Sequence, residues 1–424
     1  MRKFMAVKFM AMVAAATGFI AGPAMAQTEI TVQYAIPDIF KDVHEEVAKQ
    51  FMAANPTIKV KFLQPTKEYE DATQQVLRNA VTGQLPDVTF QGLNRQRILA
   101  DRNIAQPLDA FIAAEKDWAG KGYDGALLTL GQVKGKQYGM GFSLSTPIVY
   151  FNADLVKKAG GDPDKFPNTW DGLFALAKKI DDPANKIRGF HYDWDITGNW
   201  MWQALVFSNG GTMLSADEKK VAFDGAPGQK AIATLARMVA DGTMGDISQA
   251  TALQDFVAGR LGIWVHSTSR LGGATKQTQG VFTLRTATFP LGAGAASRLP
   301  AGGNVAMMLA KDPAKQKAAW EYIKFATGPV GATIMVKGTG YFPANALPAK
   351  DPKMLGEFYA ANPNHQVAIR QLPSMTAWYA FPGENGLKIT DVIKDHLQSV
   401  VNKSGKPEDV LKKMTADTQA LLPK

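Results

Sequence analysis

The apolar positions in the first hundred residues after position 26 change their spacing in a regular order. Three short segments alternate apolar and polar residues, or run apolar, as strands do, and the two segments between them repeat apolar residues at helical spacing. The predicted strands are 30–34, 58–62 and 87–90, and the predicted helices are 40–51 and 72–80. This β-α-β-α-β order predicts a parallel sheet with helices packed on its faces.

The carboxyl ends of these strands are the first place where we expect a binding site. Open sheets of this kind bind ligands in the crevice beyond the carboxyl ends of their strands. The three predicted strands end near Tyr34, Phe62 and Phe90, and the loops that follow them lie at this edge. Tyr34, Glu68 and Gln91 are therefore the first candidate ligand-binding residues.

The rest of the chain continues with strands and helices but contains three glycine- or proline-rich transitions. They lie at 138–152, 285–303 and 337–343. Between the first two, Thr169 is a candidate N-cap for a helix with a buried stripe that ends at Ile180. We expect two α/β lobes connected by several crossing strands.

The first 26 residues have the pattern of a cleavable export signal. Basic residues precede an apolar stretch at 9–20, and an A-x-A motif ends at Ala26. The stretch is shorter than the ~20 residues of a membrane-spanning helix, so a membrane anchor is the weaker alternative. We expect cleavage after Ala26 and export of the mature chain into a bacterial periplasm.

Composition narrows the possible functions. The 424 residues include no cysteine, which excludes disulfides, a thiol nucleophile and cysteine-based zinc sites. The formal net charge of +9 falls to +6 when Arg2, Lys3 and Lys8 leave with the signal. This mild charge predicts no nucleic-acid partner. The length is comfortable for two domains.

Motifs for catalysis or cofactors are scarce. No two of the five histidines have the spacing of a helical metal site, and we expect neither a metal nor a cofactor. Glu68 and Glu70 form a pair of carboxylates, as in glycoside hydrolases, which leaves a periplasmic hydrolase as an alternative function. Favourable first-turn charges of a helix are the simpler interpretation of this pair.

Aromatic and short hydroxyl residues are found near the expected lobe junctions. Trp200 and Trp202 lie in one predicted helix, and each is either a core residue or a stacking platform for a sugar ring. Ser145 and Ser267 offer hydroxyl groups to a polar ligand. Gly303 would let the backbone approach a ligand closely, although a plain glycine turn is equally consistent with the sequence.

Four segments resemble motifs of the extracellular solute-binding proteins of ABC importers, in the family 1 group that includes maltose- and glycerol-3-phosphate-binding proteins. Their order and spacing, and the export signal, extend the resemblance over essentially the whole chain. The segments are S-T-P-I-V-Y-F-N at 145–152, P-N-T-W-D at 167–171, F-V-A-G-R-L-G-I-W at 256–264, and Gly302-Gly303 followed by A-A-W-E-Y-I at 318–323.

The resemblance implies the α/β fold of a two-lobe, type II-like periplasmic binding protein with hinge strands and an interlobe ligand cleft. The expected lobes are 27–147 with 290–328, and 148–289 with 329–424. The family implies no catalysis. Such a protein closes on its solute and docks transiently on a membrane permease. The resemblance also implies that the protein is a monomer. A chemoreceptor is a further possible partner.

The resemblance also helps to predict the chemical class of the ligand. Gly340-Tyr341-Phe342-Pro343 is similar to a pocket segment of glycerol-3-phosphate-binding members, which adds Tyr341 to the candidates and supports Ser145. The phosphate-contacting arginine of those members has no counterpart, because the nearest match is Glu384-Asn385-Gly386. A buried phosphate needs such a donor. We therefore expect a neutral sugar or polyol, with glycerol-3-phosphate or a glycerophosphodiester as the alternative.

Overall fold

The computed structural model describes residues 27–123, 125–292, 294 and 296–424. The predicted export signal at 1–26 and its cleavage site lie outside the described residues. No helix among the described residues is long and apolar enough to cross a membrane.

The strands and helices alternate along most of the chain. The strands are β1 (Thr28–Gln33), β2 (Ile58–Phe62), β3 (Val88–Gly92), β4 (Gln132–Val133), β5 (Lys136–Gln137), β6 (Gly139–Ser145), β7 (Pro147–Asn152), β8 (Arg188–Tyr192), β9 (Leu261–Ser267), β10 (Leu284–Thr288), β11 (Leu299–Pro300), β12 (Gly302–Met308) and β13 (Met375–Thr376). The helices are α1 (Pro37–Ala54), α2 (Tyr69–Thr82), α3 (Gln96–Asp101), α4 (Asp109–Ala113), α5 (Gly125–Leu128), α6 (Ala153–Lys158), α7 (Trp170–Ile180), α8 (Trp200–Ser208), α9 (Ala226–Ala240), α10 (Gln249–Val257), α11 (Leu271–Thr278), α12 (Pro313–Thr327), α13 (Pro329–Gly338), α14 (Leu347–Lys350), α15 (Glu357–Ala361), α16 (Gln366–Gln371), α17 (Gly386–Val401) and α18 (Pro407–Leu421).

The first large sheet has the strand order β2-β1-β3-β12-β6. Strand β1 pairs in parallel with β2 and β3, as the apolar pattern predicts. Strand β12 pairs antiparallel with β3 and β6, so a late part of the chain completes the sheet. Helices α1, α12 and α13 pack beside this sheet and bury a core that includes Val32 and Phe40.

The second large sheet has the order β10-β7-β9-β8. Strand β7 pairs antiparallel with β9 and β10, and β8 pairs in parallel with β9. Helix α7 packs on this sheet, and Thr169 is its N-cap, as predicted, because the hydroxyl accepts a hydrogen bond from Gly172 N at 3.2 Å.

The chain crosses between the two sheets several times. Only Thr146 separates β6 of the first sheet from β7 of the second, and the chain returns from β10 to β12 through residues 289–301. A third crossing segment contains Tyr341 and Phe342. The backbone N–H of Phe342 donates to Leu144 O at 2.8 Å, which attaches this segment to the end of β6.

One part of the expected lobe division does not match the packing. The sequence-based boundary at 329 assigns α13 to the second lobe, but its residues Met335 and Val336 are buried in the same core as Phe40. The reason is local. Pro329 begins α13 directly after Gly328 caps α12, and so short a connection keeps both helices on one sheet. The other lobe boundaries stay a prediction.

Candidate ligand cavity between the two sheets

A cavity of about 490 Å³ lies where the crossing segments meet the loops of both sheets. The first sheet contributes Ile36 in the loop after β1, Asp38 in the first turn of α1, and Glu68 in the loop after β2. The second sheet contributes the end of β9 and the turn after it, with Ser267 and Arg270. The cavity is therefore enclosed by residues from both halves of the molecule.

The crossing segments form the inner wall. Ser145, the last residue of β6, borders the cavity and is 2% exposed, and its hydroxyl makes no hydrogen bond to any described residue. Gly303 has φ +105°, and a Cβ there would lie 1.9 Å from the carbonyl oxygen of Ser143, so only glycine fits. Glycine is thus required at this position by the backbone of the neighbouring strand.

Two tryptophans border the crossing segments. The ring centroids of Trp200 and Trp378 are 6.1 Å apart, with the planes at 52°. A Cβ at Gly302 would lie 2.8 Å from Cζ2 of Trp200, so the indole ring packs directly on that backbone. Trp200 is only 1% exposed. In this conformation the ring borders the cavity as part of its wall, which is closer to the core alternative than to the stacking alternative, and whether it contacts a ligand stays a prediction.

A buried polar cluster supports the wall on the side of the second sheet. Asp193 is fully buried and accepts a hydrogen bond from Nε1 of Trp264 at 2.6 Å. Its other carboxylate oxygen lies 3.0 Å from Nε2 of His191. His266 borders both this cluster and the cavity, and burial lowers the pKa of its imidazole to about 4. The cavity wall therefore presents a neutral imidazole at physiological pH.

The carboxylates near the cavity differ in their partners. Glu70 pairs with Arg95 and accepts a hydrogen bond from the Thr197 hydroxyl. Glu68 has no ion-pair partner among the described residues, and burial, with the nearby charge of Glu70, raises the pKa of its carboxyl to about 7. Arg270 donates from Nη1 to Asp38 at 2.7 Å. Arg270 and Asp38 thus pair with each other at the cavity, whereas Glu68 and Lys67, which also border it, have no ion-pair partner among the described residues.

Comparison with known proteins identifies the family. A family model described as bacterial extracellular solute-binding protein matches residues 46–366, which is more than half of the chain. The chain belongs to this family. The resemblance found in the sequence is therefore confirmed.

Relatives of this solute-binding protein are distant in sequence. A protein of Brucella abortus named as a binding protein is 25% identical over 90% of each chain. An sn-glycerol-3-phosphate-binding periplasmic protein of Agrobacterium fabrum is 25% identical over 62% of this chain and 60% of its own length.

Solved structures establish the two-lobe fold. The glycerophosphocholine complex of a Mycobacterium tuberculosis protein named UgpB has a TM-score of 0.81 at 20% identity, covering 93% of this chain and 98% of that one. An ABC substrate-binding protein of Listeria monocytogenes in complex with cycloalternan has a TM-score of 0.80 at 21% identity, with the same coverage. Both are similar to this binding protein in fold.

Six of the nine candidate residues border the cavity of this solute-binding protein. Glu68 lies beyond a strand end, and the others lie on or near the crossing segments and β9. The six are Glu68, Ser145, Trp200, Ser267, Gly303 and Tyr341. Whether they contact a ligand stays a prediction.

The other three candidates lie outside the cavity lining. The ring of Tyr34 turns into the core, with its centroid 4.4 Å from that of His44. Gln91 is fully buried, where it accepts from the Thr73 hydroxyl at 2.8 Å. Trp202 packs in the core against Phe223, with ring centroids 6.0 Å apart. None of the three side chains borders the cavity described here, and whether any of them contacts a ligand stays a prediction.

Sequence reasoning missed several residues that border the cavity. Arg270 directly follows the short hydroxyl run S-T-S, and that adjacency was the signal available for it. Asp38 lies in the first turn of α1, where an acidic residue is ordinarily explained by the helix dipole. Trp378 lies in an irregular segment after β13, and no periodic pattern indicates its position.

Proposed function

We propose that this protein is the periplasmic ligand-binding subunit of an ABC importer and that it binds a neutral carbohydrate, either a sugar or a polyol. The observation that supports this most is the cavity between the two sheets, which combines the unpaired hydroxyl of Ser145 with apolar side chains such as Ile36. A sugar ring presents both a C–H face and hydroxyl groups and therefore needs walls of both kinds. We propose that the subunit acts as a monomer.

Binding is expected to favour the closed arrangement of the lobes. Glu68 comes from the first half of the chain and Ser267 from the second, so a ligand that touches both is held only when the lobes are together. Each ligand hydroxyl buried without a partner costs about 1–3 kcal/mol. The closed protein would dock on the permease and release the solute unchanged.

The charges at the cavity favour a neutral ligand over a phosphate. The guanidinium of Arg270 already pairs with Asp38, and a phosphate would have to compete with that carboxylate. The unpaired carboxyl of Glu68 would repel an anion whenever it is ionised. Glycerol-3-phosphate remains the second candidate, since Lys67 and Arg270 border the cavity and one relative is named for that ligand.

A hydrolase function has little support in the geometry. Two-carboxylate hydrolysis needs a second carboxyl group free to act as nucleophile or base. Glu70 is held by Arg95 and Thr197 and does not border the cavity, so Glu68 has no free carboxylate partner there. Chromatography of a candidate sugar after long incubation with the protein tests this point. Cleavage products that form with the wild type and not with Glu68→Gln would show that the protein is a hydrolase and would overturn the proposed transport function.

Thermal melting of the mature chain from Gln27 tests the proposal directly. The panel is glucose, maltose, mannitol and glycerol-3-phosphate. A ligand at about one hundred times its Kd adds ~2.7 kcal/mol to the free energy of unfolding and raises Tm by several degrees or less. A shift with a neutral compound supports carbohydrate binding. A shift with glycerol-3-phosphate alone assigns the cavity to an anion and overturns the neutral-ligand proposal.

A further inference from the structure

A single buried glutamine is bonded to two of the three segments that cross between the sheets. Gln371, the last residue of α16, is 3% exposed. Its Nε2 donates to Oγ1 of Thr146 at 2.9 Å and to the carbonyl oxygen of Pro147 at 2.9 Å. Its Oε1 accepts from the backbone N–H of Phe289 at 2.6 Å. One side chain thus joins the crossing between β6 and β7 to the start of the crossing between β10 and β12.

The helix that carries this glutamine is fixed to the second sheet. Val367, on α16, is buried in one core with Ile148 on β7 and Trp264 on β9. Asn364, just before the helix, donates from Nδ2 to the carbonyl oxygen of Leu284 on β10 at 3.0 Å. The glutamine at the end of α16 therefore attaches both crossing segments to the second lobe.

The turn after β9 provides further attachment on the same lobe. The backbone N–H of Thr268 donates to the carbonyl oxygen of Thr146 at 3.1 Å. A Cβ at Gly340 would lie 1.9 Å from the carbonyl oxygen of Thr268, so the third crossing segment packs directly on this turn. Each of the three crossing segments therefore has a fixed point on the second lobe.

The first lobe holds the crossing segments only a few residues away. Leu144 and Phe342 exchange backbone hydrogen bonds of 2.8 and 3.0 Å, and Gly303 on β12 pairs with Leu144 on β6. Between this fixed point and Thr146 lies only Ser145, which borders the cavity. Hinge bending is absorbed by a few residues at the ends of rigid elements. The geometry therefore confines bending of the first crossing segment to the backbone around Ser145.

We propose that Gln371 is a positioning residue, a clamp that holds the first two crossing segments on the second lobe and so preorganises the lobes to close on a ligand. Gln371 does not border the cavity and acts through the crossing segments. Without the clamp, the start of β7 and the end of β10 would gain freedom that ligand binding must remove, at a cost in affinity. Because the clamp lies outside the cavity, this cost is the same for every ligand. The effect on affinity rests on the proposed binding function.

Spin-label distances test the clamp without any ligand. The chain has no cysteine, so Gln74→Cys on α2 and Asp395→Cys on α17 place nitroxide labels at exposed positions on the two expected lobes. Pulsed electron paramagnetic resonance measures the distribution of distances between the labels. We expect this distribution to become wider and to extend to longer distances in Gln371→Leu. A distribution identical to that of the labelled protein without Gln371→Leu overturns the clamp.

Gln137→Leu is the matched control. Gln137 is also 3% exposed, and its Nε2 donates to the carbonyl oxygens of Leu128 at 3.0 Å and Gly139 at 2.6 Å, within the first lobe. Both variants lose a buried glutamine and should unfold at lower urea concentration, but only Gln371→Leu should widen the distance distribution. Equal widening in both would mean a general loosening of the fold and would contradict the clamp.

Thr146→Val is the second variant if Gln371→Leu does not fold. It removes only the hydroxyl that accepts from Gln371 and leaves the bonds to Pro147 and Phe289 in place. The distance distribution should widen to a smaller extent than with loss of the whole clamp. An unchanged distribution in Thr146→Val, with Gln371→Leu unfolded, would overturn the proposal.

Calorimetric titration with glucose, maltose, mannitol and glycerol-3-phosphate measures the consequence for affinity. We expect the Kd of each compound that binds to rise by one common factor, about threefold to tenfold, in Gln371→Leu and to stay within about twofold in Gln137→Leu. A loss limited to one of several binding compounds would place Gln371 in ligand recognition and contradict the clamp. If none of the four compounds binds, the proposed function fails by itself, and the spin-label distances still decide the clamp.

Discussion

The ends of the parallel strands and the crossing segments were both expected to line a site, but they contribute to it differently. The side chain of Gln91, on β3, stays inside the fold, where it accepts a hydrogen bond from Thr73. The ring of Tyr34 turns back into an aromatic core. Ser145 and Gly302, at the points where the chain leaves or enters the first sheet, face the cavity directly. The side chains at the end of a strand still pack within their own sheet. A crossing segment lies between the two lobes, so its residues can border the space that separates them.

The strand-end rule nevertheless indicated the correct region. The residues that reach the cavity lie a few positions further along the chain, at Ile36, Asp38 and Glu68. The same contrast recurs within helix α8, where Trp200 borders the crossing segment and Trp202 points into the core. Substitutions that separate affinity from stability test whether these two groups of residues really have different roles.

The pair of tryptophans gives the largest expected effect. Trp202→Ala should lower the free energy of unfolding by about 3–5 kcal/mol, because a buried indole leaves a cavity in the core. The Kd for the ligand found in the melting panel should stay unchanged. Trp200→Ala should also lower stability, and in addition raise Kd at least about tenfold because it removes part of the cavity wall.

Urea unfolding and calorimetric titration measure the two quantities separately. Trp202→Phe provides a milder core variant if Trp202→Ala does not fold. An unchanged Kd in Trp200→Ala would assign both tryptophans to the core and remove the distinction within α8.

Gly303 tests the backbone of the crossing segment. Gly303→Ala should lower the free energy of unfolding by roughly 3 kcal/mol, because φ is +105° and the added Cβ would overlap the Ser143 carbonyl oxygen. Gly273→Ala is the matched control, since it lies within helix α11 and has no atom nearer than 3.7 Å to the new Cβ. The control should be neutral or slightly stabilising in urea unfolding. Equal behaviour of the two variants would show that the crossing backbone adapts.

Gln91 and Ser145 test the contrast between strand end and crossing segment. Gln91→Leu removes two buried hydrogen bonds, to the hydroxyls of Thr73 and Thr89, although each hydroxyl keeps a second partner, and should cost about 1–3 kcal/mol of stability at constant Kd. Ser145→Ala should change stability little and raise Kd about threefold to tenfold, because its hydroxyl borders the cavity and has no partner among the described residues. The comparison would fail if Gln91→Leu weakened binding in the folded protein.

The sequence predicted strands and helices well where apolar residues recur at a regular spacing. The alternation of apolar residues located β1 to β3 and helices α1 and α2, and capping chemistry located the start of α7 at Thr169. The position of α13 was missed because a periodic pattern shows that a helix has a buried face but not which sheet buries it. Trp378 and Arg270 were missed because their position in the cavity depends on tertiary packing of irregular segments.

The smallest expected effect concerns the titration of Glu68. Burial raises the pKa of its carboxyl from 4.5 to about 7 in the folded protein, with the charge of Glu70 adding to the shift and those of Lys67 and Arg270 opposing it. The folded state therefore holds a proton that the unfolded state has lost between about pH 4.5 and pH 7. The free energy of unfolding should fall as pH rises through this window.

Glu68→Gln should remove this component of the pH dependence. Since the side chain is partly open to solvent, we expect the difference between wild type and variant to change by only about 1 kcal/mol between pH 5 and pH 8. Glu408→Gln, at an exposed position in α18, is the control and should keep the wild-type slope. Urea unfolding at several pH values measures the slopes. An identical slope in wild type and Glu68→Gln would mean that this carboxyl is as solvated as an ordinary surface group, so that the loop after β2 contributes no desolvated acid to the cavity.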